Sequence, residues 1–388
     1  MLVDTIPESP ILALIDRIFR LRAAGEEVLG LHIGEPDFDT PPGIRAAAAR
    51  AMEEGQTHYT SSQGMPGLRS AIAERLARRH HIPARADDVV VIPSKFAIYA
   101  TILATTSPGD EVLIPNPTYL FEEPVRLAGA KPVFVPLRPD YGLDPAALEA
   151  AVTPRTRLII FATPGNPTGT LLDRRDLQAT IEIARDHDLI VASDETYESL
   201  VYEGTHVASA ALAYGAERVV TLGSFSKTFA MTGWRAGYAV APPPIRARMV
   251  KVVEHTLTCI PPFVQEACRW ALQNAEPDAE RFRGEFRARR DALVPALESI
   301  PGFHVDRPHG AFYTFPAFDL PLSSREFCER LLAEEHVAVV PGVSFGPAGE
   351  HHVRISYTRP TAELLEGVER IRQFVERHRS GAGSARPL

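Results

Sequence analysis

Short apolar runs alternate with amphipathic segments through the middle of the chain, between about residues 88 and 241. The apolar runs predict seven strands, at residues 88–92, 111–114, 132–135, 157–162, 189–193, 218–222 and 237–241. Segments with helical periodicity lie between most of them, at residues 95–106, 118–128, 144–151 and 173–187. Alternation at this pace predicts an α/β fold with a mainly parallel seven-stranded sheet that carries helices on both faces.

The two ends of the chain have a different pattern. Ser9 as a cap and Pro10 in the first turn predict an N-terminal helix that stops at Gly25, and a loop rich in proline and glycine follows at 31–42. Further helices are predicted at about 42–54, 68–80, 244–257, from 263 and, as a long Arg/Glu-rich segment, at 278–300. Strands near 303–305, 311–315, 337–340 and 352–356, with helices near 323–335 and 361–378, predict a smaller α+β domain.

The length of 388 residues exceeds the usual size of one core, so we expect more than one domain. Residues 1–42 are predicted to form an N-terminal arm and part of the small domain, and residues 43–285 the large domain, which would bind any cofactor. Residues 286–379 are predicted to form the small C-terminal domain. The tail at 380–388 is rich in Gly, Ser, Ala, Arg and Pro and is predicted to be disordered.

Composition narrows the class of protein. A net charge of −8, with both signs mixed along the chain, argues against nucleic acid or an anionic membrane as the main partner. Three cysteines without a CxxC spacing favour a reducing compartment. No apolar run approaches the roughly 20 residues of a membrane span, and no signal peptide is recognised at the start. We therefore expect a cytoplasmic enzyme. The histidine pairs lack metal-ligand spacing, so no metal is assigned.

Lysine is scarce in this chain, and one lysine lies in an unusual stretch. The four lysines are Lys95, Lys131, Lys227 and Lys251, whereas arginine is abundant. Lys227 lies within Ser224–Gly237, which is rich in small residues and follows a predicted strand. An amine, unlike a guanidinium, can condense with a carbonyl to form a Schiff base. Lys227 is therefore predicted to be a nucleophile.

Polar residues follow four of the predicted strands, where ligands bind in parallel α/β sheets. These residues are Ser94 and Lys95, Asn166, Asp194 and Tyr197, and Ser224, Lys227 and Arg235. Together they meet the needs of pyridoxal phosphate: an amine for the aldehyde, a carboxylate for the ring nitrogen, donors for the ring oxygen and a cradle for the phosphate. Tyr119 could stack on the ring.

Taken singly, most of these residues have a structural alternative. Asp194 could be a helix cap or a turn residue, and Asn166 a turn residue before proline. Arg235 could form a surface ion pair, and Tyr119 could be a half-buried core tyrosine. The evidence for a site is therefore their joint occurrence at successive strand ends.

At this level of detail the chain resembles the class I/II aminotransferases of the fold-type I pyridoxal phosphate enzymes, and among them the bacterial aspartate aminotransferase subgroup. The resemblance runs over nearly the whole length, and its motifs occur in a fixed order. They are Gly34-Glu35-Pro36-Asp37-Phe38, Tyr59, Gly64-Met65-Pro66-Gly67-Leu68-Arg69, Pro108-Gly109-Asp110-Glu111-Val112, Asn166-Pro167-Thr168-Gly169, Ser193-Asp194-Glu195-Thr196-Tyr197, Ser226-Lys227, Gly233-Trp234-Arg235-Ala236-Gly237, Pro308-His309-Gly310-Ala311-Phe312-Tyr313, Val339-Val340-Pro341-Gly342 and Val353-Arg354-Ile355-Ser356-Tyr357.

The resemblance implies a role for each matched residue. Lys227 would hold the cofactor as a Schiff base and move the substrate proton, and Asp194 would pair with the ring nitrogen. The ring oxygen would bind Asn166 and Tyr197, and the ring face Tyr119. The phosphate would bind Ser94, Lys95, Ser224, Arg235 and, from the other subunit of a homodimer, Tyr59. The substrate α-carboxylate would bind Arg354, with help from Gly34 and Asn166.

Two features near the start of the 95–106 helix depart from the family or bear on the substrate. Pro93 replaces a small residue and removes a backbone donor near the phosphate. Lys95 matches a lysine that in the aspartate subgroup can face a dicarboxylate side chain, although a role at the phosphate or exposure to solvent is equally open. The implied activity is transfer of an amino group from an α-amino acid, with aspartate favoured, to a 2-oxo acid such as 2-oxoglutarate.

Other classes remain as alternatives. A lyase or cyclase of specialised metabolism could use the same cofactor and fold, because elimination and transamination differ in substrate pose. A nicotinamide oxidoreductase is disfavoured, since no G-x-G-x-x-G follows a strand. A regulator that retained the fold without catalysis is disfavoured by the complete set of Lys227, Asp194, Arg235 and Arg354.

Overall fold

The computed structural model describes residues 2–8 and 10–382. The predicted cap at Ser9 and the part of the predicted tail at 383–388 lie outside the described residues. The strands are β1 Leu29–Gly30, β2 Val89–Val91, β3 Glu111–Asn116, β4 Lys131–Pro136, β5 Thr156–Ala162, β6 Ile190–Asp194, β7 Val219–Ser224, β8 Gly237–Val240, β9 Phe303–His304, β10 Tyr313–Thr314, β11 Ala317–Phe318, β12 Val337–Ala338, β13 Val340–Pro341 and β14 Val353–Ser356.

Thirteen α-helices connect these strands in the described part of the chain. They are α1 Pro10–Ala23, α2 Pro42–Glu53, α3 Pro66–His80, α4 Ser94–Thr105, α5 Glu122–Leu127, α6 Pro145–Ala151, α7 Arg174–Asp186, α8 Gly215–Arg218, α9 Pro243–Glu254, α10 Pro262–Asn274, α11 Glu276–Glu298, α12 Ser324–Glu335 and α13 Thr361–Ala382. Side-chain caps fix several starts: Asp144 and Asp173 accept from backbone N–H groups of α6 and α7, and Ser323 forms a capping box with Glu326 at α12.

The central sheet has seven strands in the order β2-β8-β7-β6-β5-β3-β4. Strand β8 runs antiparallel to both of its neighbours, β2 and β7, and every other neighbouring pair is parallel. The predicted mainly parallel, seven-stranded α/β sheet is therefore confirmed. The helix predicted from residue 118 is wrong over its first turn, because α5 begins at Glu122 and Leu120 has φ +77°.

Both faces of the central sheet are covered, as the apolar runs predict. Along β5, Leu158 and Ile160 pack with α4 and α9 on one face, whereas Ile159 and Phe161 pack with α2, α3, α7 and α10 on the other. Alternate side chains of a strand point to opposite faces, so a run that is apolar at every position is required here. This burial holds the strand ends, and the polar residues after them, in fixed relative positions.

The C-terminal part of the chain forms a second set of small sheets. Strands β10, β14 and β13 make a three-stranded antiparallel sheet, and β1 pairs with β12 in parallel. The chain near Leu29 is thereby tied to residues more than 300 positions later. A separate core of aromatic and aliphatic side chains lies between these strands and helices α11, α12 and α13. The division of the chain into four segments stays a prediction. Helix α13 continues to Ala382, into the segment 380–388 that was expected to be a disordered tail.

Within the described residues, none of the helices combines the length and the apolar character that crossing a membrane would require.

Candidate active site

The four strand ends that carry the predicted site residues lie at one edge of the sheet. Strands β5, β6 and β7 are parallel neighbours, and β2 runs in the same direction as β7 because β8 is antiparallel to both. Asp194 closes β6 opposite Leu222 of β7, and Ser224 closes β7 opposite Gly237 of β8. The prediction that these ends project at the same edge is confirmed.

Lys227 lies in the connection from β7 to β8 and is largely enclosed. Its Nζ donates to the carbonyl of Gly34 at 2.6 Å. Burial lowers the pKa of this amine to about 8, and the positive charges of Arg354 and Arg235 act in the same direction against the opposing effect of Glu35. The free amine is therefore populated near neutral pH, which is what a nucleophilic lysine needs.

Asp194 and Tyr197 follow β6 in one turn. The Asp194 carboxylate accepts a hydrogen bond from the backbone N–H of Thr196 at 3.0 Å, and burial raises its pKa above the usual range. An adjacent cation would offset that burial and favour the ionised carboxylate. The Tyr197 hydroxyl lies 2.9 Å from the hydroxyl of Tyr313, and burial raises the pKa of Tyr197 well above normal.

Arg354 lies on β14 and reaches across to the strand-end residues. Its side chain is almost fully buried, at 3% exposure. Nη1 donates to Asn166 Oδ1 at 3.1 Å and Nη2 donates to the carbonyl of His32 at 2.6 Å. The Nε–H group is buried and has no hydrogen-bond partner in the described chain. A buried N–H donor without a partner is unfavourable, and a substrate carboxylate could accept a hydrogen bond from it.

Ser94, Ser224 and Gly237 form a compact cradle beside Lys227. The Ser94 hydroxyl donates to the Ser224 hydroxyl at 2.8 Å, and a Cβ at Gly237 would lie 2.3 Å from Ser94 Oγ. Ser94 is also the first residue of α4, whose N-terminus no side chain caps. The free N–H groups of that first turn, with two hydroxyls beside them, are suited to a phosphate.

Arg235 adjoins this cradle. It has φ +55°, which is unusual for a residue other than glycine, and its Nη1 donates to the carbonyl of Thr232 at 2.7 Å. Its charge is close enough to lower the pKa of Lys227. An exposed guanidinium held in this strained backbone turn, next to the amine, is consistent with anion binding rather than with a surface ion pair.

Three predicted residues lie less directly in the site. Lys95 is exposed and makes no hydrogen bond or ion pair with the residues that the structure describes. Tyr59 is 87% exposed, on a loop before α3, and likewise has no polar partner in the described chain. Tyr119 is half-buried in the loop before α5, with its ring 6.2 Å from that of Phe345, and burial raises its pKa.

Two residues at the centre of the site had no role assigned from the sequence. The ring centroid of Tyr313 lies 4.5 Å from the Arg354 guanidinium, and that of Phe345 lies 5.0 Å from it. Tyr313 belongs to the motif at 308–313, which was recognised only as part of a resemblance. Phe345 follows the motif at 339–342. No sequence pattern indicated a role for it, since its contact with Arg354 is formed only in the folded chain.

A segment that we call the strap, residues 31–40, crosses the site between Arg354 and Lys227. On one side it is held by the backbone N–H of Ser356, which donates to Leu31 O at 2.8 Å. On the other side Thr40 accepts from Trp234 Nε1 at 3.0 Å. Between these anchors the carbonyls of His32 and Gly34 accept from Arg354 and Lys227. The strap therefore brings the N-terminal part of the chain onto both cationic residues.

Comparison with known proteins identifies the family that this fold and this site define. The family described as Aminotransferase class I and II matches residues 26–371. The chain belongs to this family and is an aminotransferase, an enzyme of the transferase class that uses pyridoxal phosphate.

Named relatives cover almost the whole chain. An aspartate aminotransferase of Pyrococcus abyssi is 40% identical over 93% of this chain and 95% of its own length. An aromatic-amino-acid aminotransferase 2 of Thermococcus litoralis is 39% identical over 93% and 95% respectively. A solved aspartate aminotransferase of Thermus thermophilus, a single mutant, matches with a TM-score of 0.91 and 35% identity over 96% of this chain and 98% of that one. The names agree on transamination and differ on the amino acid.

The geometry fits the cofactor of this family. Lys227 provides a buried amine with a lowered pKa, and the cradle at Ser94, Ser224 and Gly237 provides hydroxyls at an uncapped helix start. Asp194 provides a carboxylate whose burial would be compensated by a cationic ring nitrogen. These are the three contacts that a Schiff base, a phosphate and a protonated ring require.

Proposed function

We propose that this aminotransferase moves the amino group of an α-amino acid, with aspartate as the favoured donor, to a 2-oxo acid such as 2-oxoglutarate. The observation that carries the proposal is that Lys227 and Arg354 both donate to the strap, at carbonyls two residues apart. A nucleophilic amine and a buried guanidinium with a vacant Nε–H are bound to adjacent parts of the same strap. An α-amino acid presents its amino group and its carboxylate one carbon apart, and it needs both kinds of partner.

In this proposal each residue acts on a defined part of the reaction. When bound, pyridoxal phosphate supplies an aldehyde for the amine and an aromatic ring that withdraws electrons from the substrate. Asp194 keeps the ring nitrogen protonated, and Asn166 and Tyr197 donate to the ring oxygen. Lys227 Nζ would accept the α-proton of the amino acid and return it across the imine nitrogen, at the former aldehyde carbon of the cofactor. Its lowered pKa supports this role, since an ammonium could not accept the proton.

Arg354 is proposed to hold the α-carboxylate of both the amino acid and the 2-oxo acid. Its Nη1 already donates to Asn166 Oδ1, and its guanidinium lies over the rings of Tyr313 and Phe345, 4.5 and 5.0 Å from their centroids. A planar guanidinium held in one orientation would fix the carboxylate, and thereby the direction of the Cα–H bond relative to Lys227. The same site must accept both acids in turn, which corresponds to a ping-pong mechanism.

Aspartate is the proposed donor because of Lys95. Its ammonium is exposed in the first turn of α4, beside the cradle, and no described residue neutralises it. A second carboxylate on the substrate would supply that partner. The aspartate aminotransferase among the relatives supports this assignment, and the aromatic-amino-acid aminotransferase among them supplies the competing substrate class.

A panel of single half-reactions tests the substrate proposal. The holoenzyme is mixed with aspartate, glutamate, alanine, phenylalanine or arginine, and the loss of the visible cofactor band is followed. Aspartate should react fastest, and Lys95→Met should reduce its kcat/KM by about 5-fold, because one exposed ion pair is worth about 1 kcal/mol. Alanine, which lacks the second carboxylate, is the matched control and should react equally well with both proteins.

A faster reaction of phenylalanine than of aspartate in that panel would contradict the aspartate proposal while leaving transamination intact. Release of ammonia and a 2-oxo acid, without conversion of the cofactor to its amine form, would contradict transamination itself and indicate elimination.

The lowered pKa of Lys227 predicts how the chain captures its cofactor. Only the neutral amine attacks an aldehyde, so the rate should rise about tenfold per pH unit below about pH 8 and level off above it. Stopped-flow absorbance of the cofactor-free protein mixed with pyridoxal phosphate from pH 6 to 10 measures this rate. A rate that keeps rising steeply up to pH 10 would show an ordinary lysine and would contradict the burial effect.

We also propose a homodimer in which Tyr59 of each chain completes the phosphate site of the partner. In support, Tyr59 is 87% exposed although its loop is firmly held, with Gln265 Nε2 donating to Thr60 Oγ1 at 3.1 Å and Gln265 Oε1 accepting from Met65 N at 2.7 Å. A large exposed ring on a rigid loop is suited to contact with another chain. Sedimentation equilibrium of the holoenzyme decides the point, and a monomer with full cofactor occupancy would refute it.

A further inference from the structure

The hydroxyl groups of Tyr313 and Tyr197 form an isolated pair inside the site. They lie 2.9 Å apart, and the Tyr313 side chain is 2% exposed. In the described chain neither hydroxyl has another hydrogen-bond partner. A Cβ at Gly34 would lie 1.9 Å from Tyr313 Oη, so the strap encloses that hydroxyl on a second side. A phenol has a single hydrogen to donate, so one of the two residues donates to the other.

The backbone fixes both phenols in this arrangement. Tyr313 follows Ala311, which has φ +57° and whose carbonyl accepts from the Tyr202 hydroxyl. Ala311 N donates to Leu200 O at 2.8 Å, and Leu200 N in turn donates to Tyr197 O at 2.8 Å. Two short backbone links thus connect the segments that carry the two rings. Because of these links, the distance between the hydroxyls is a property of the fold rather than of two free side chains.

The charges around the pair favour one direction of donation. Burial raises the pKa of both phenols, so both keep their hydrogen near neutral pH. Arg354 lies over the face of Tyr313 at 4.5 Å, and a cation there makes a phenol a stronger donor. Arg354 also lowers the pKa of Tyr197, but there the negative charge of Asp194 opposes it, whereas no carboxylate of the described residues opposes Arg354 at Tyr313. A nearby anion makes a phenol a weaker donor and a stronger acceptor. The 2.9 Å contact allows either direction, and this difference in charge favours Tyr313 as the donor and Tyr197 as the acceptor.

We propose that Tyr313 is a positioning residue for the cofactor: its hydroxyl donates to Tyr197 Oη and leaves the hydrogen of Tyr197 free to point at the ring oxygen of pyridoxal phosphate. The inference rests on the proposed function, in which Tyr197 contacts that oxygen. It adds a step to that function, because hydrogen bonds in a chain polarise one another and a Tyr197 that accepts from Tyr313 is a better donor. Tyr313 itself need not touch the cofactor.

The pH titration of the visible cofactor band tests the direction of donation. A donor at the ring oxygen stabilises its negative charge and so favours loss of the proton from the Schiff-base nitrogen. In Tyr313→Phe the donor at that oxygen is weakened, and the midpoint of the titration should rise by a few tenths of a pH unit. If Tyr197 instead donates to Tyr313, the variant frees the Tyr197 hydrogen and the midpoint falls. A fall, or no change, overturns the proposal.

The double variant shows whether Tyr313 acts through Tyr197. Tyr197→Phe alone should raise the midpoint by about one pH unit, and adding Tyr313→Phe should then change nothing further. An equal rise in both backgrounds would mean an independent effect and would overturn the proposal. If Tyr197→Phe leaves the midpoint unchanged, the proposed role of Tyr197 fails together with the inference. If only Tyr313→Phe is silent, the inference alone fails.

Two further variants control for a loss of cofactor binding or of structure. Tyr357→Phe is the matched control, because it removes a buried phenol hydroxyl three residues from Arg354 whose contact with Ala311 O is long, at 3.4 Å. Its midpoint should equal that of the unaltered enzyme. Replacement of Tyr313 by 3-fluorotyrosine keeps the hydroxyl but makes it a stronger donor, so the midpoint should fall. A rise with this replacement would overturn the proposal even if Tyr313→Phe loaded cofactor poorly.

Discussion

Lys227→Arg should reduce transamination by about 10⁴-fold or more, while the protein stays folded. The substitution keeps the positive charge beside Gly34 and Arg235, and the long side chain still fills the space. What is lost is the free amine, because a guanidinium is not neutral at any accessible pH and neither attacks an aldehyde nor accepts a proton. Steady-state rates with the best amino acid of the panel measure the loss, and far-UV circular dichroism checks the fold.

Lys251→Arg is the control for this experiment, since Lys251 is exposed in the last turn of α9 and makes no hydrogen bond or ion pair with the described site residues. It should keep normal activity. Borohydride reduction of the holoenzyme should fix the cofactor on the peptide that contains Lys227. A label found on Lys95 or Lys251, or a Lys227→Arg enzyme that retains a tenth of its activity, would be incompatible with the proposed nucleophile.

Arg354→Ala should lower kcat/KM for both the amino acid and the 2-oxo acid by about 10²–10³-fold, with little effect on cofactor binding. The guanidinium is 3% exposed, and a substrate carboxylate brought to that depth without it would be a buried, unpaired charge. Asn166 and the His32 carbonyl would also lose their donor. Stopped-flow half-reactions with each substrate and cofactor titration by fluorescence separate the two effects.

Arg354→Lys separates charge from geometry. It keeps one positive charge but cannot bind a carboxylate in two places, so its kcat/KM should lie between those of the unaltered enzyme and Arg354→Ala. Loss of cofactor binding with unchanged substrate affinity in Arg354→Ala would contradict the assignment and would place Arg354 on the cofactor side.

The sheet and the strand-end residues are the part of the molecule that could be predicted from the sequence. Within the predicted strands 157–162 and 189–193, the stretches 158–162 and 189–192 are apolar at every position, and a polar residue directly follows each. Burial on both faces requires the first property, and a ligand edge produces the second. The positions of Asn166, Asp194, Ser224 and Lys227 depend on these local signals alone, which is why they were found at one edge.

Other features depend on contacts that no local pattern contains. Tyr313 has as neighbours Gly34, Tyr197 and Arg354, and each of these is at least 41 positions away along the chain. Helix α5 was predicted to begin too early because the amphipathic pattern extends back over Tyr119, whereas φ +77° at Leu120 interrupts the helix. The exposure of Lys95 and Tyr59 depends on how the folded chain packs around them, and the hydrophobic periodicity of the sequence did not predict it.

The strap has a thermodynamic consequence. Its carbonyls at His32 and Gly34 are two residues apart, and they act as built-in competitors for the donors of Arg354 and Lys227. An incoming carboxylate or aldehyde therefore exchanges one partner for another, and its measured affinity is the difference between two bonds. Both carbonyls belong to one short stretch of backbone. When a ligand takes the donor from one carbonyl, we expect the hydrogen bond to the other carbonyl to weaken. We therefore expect occupation of either end of the strap to raise the affinity at the opposite end, and linkage requires the factor to be the same in both directions.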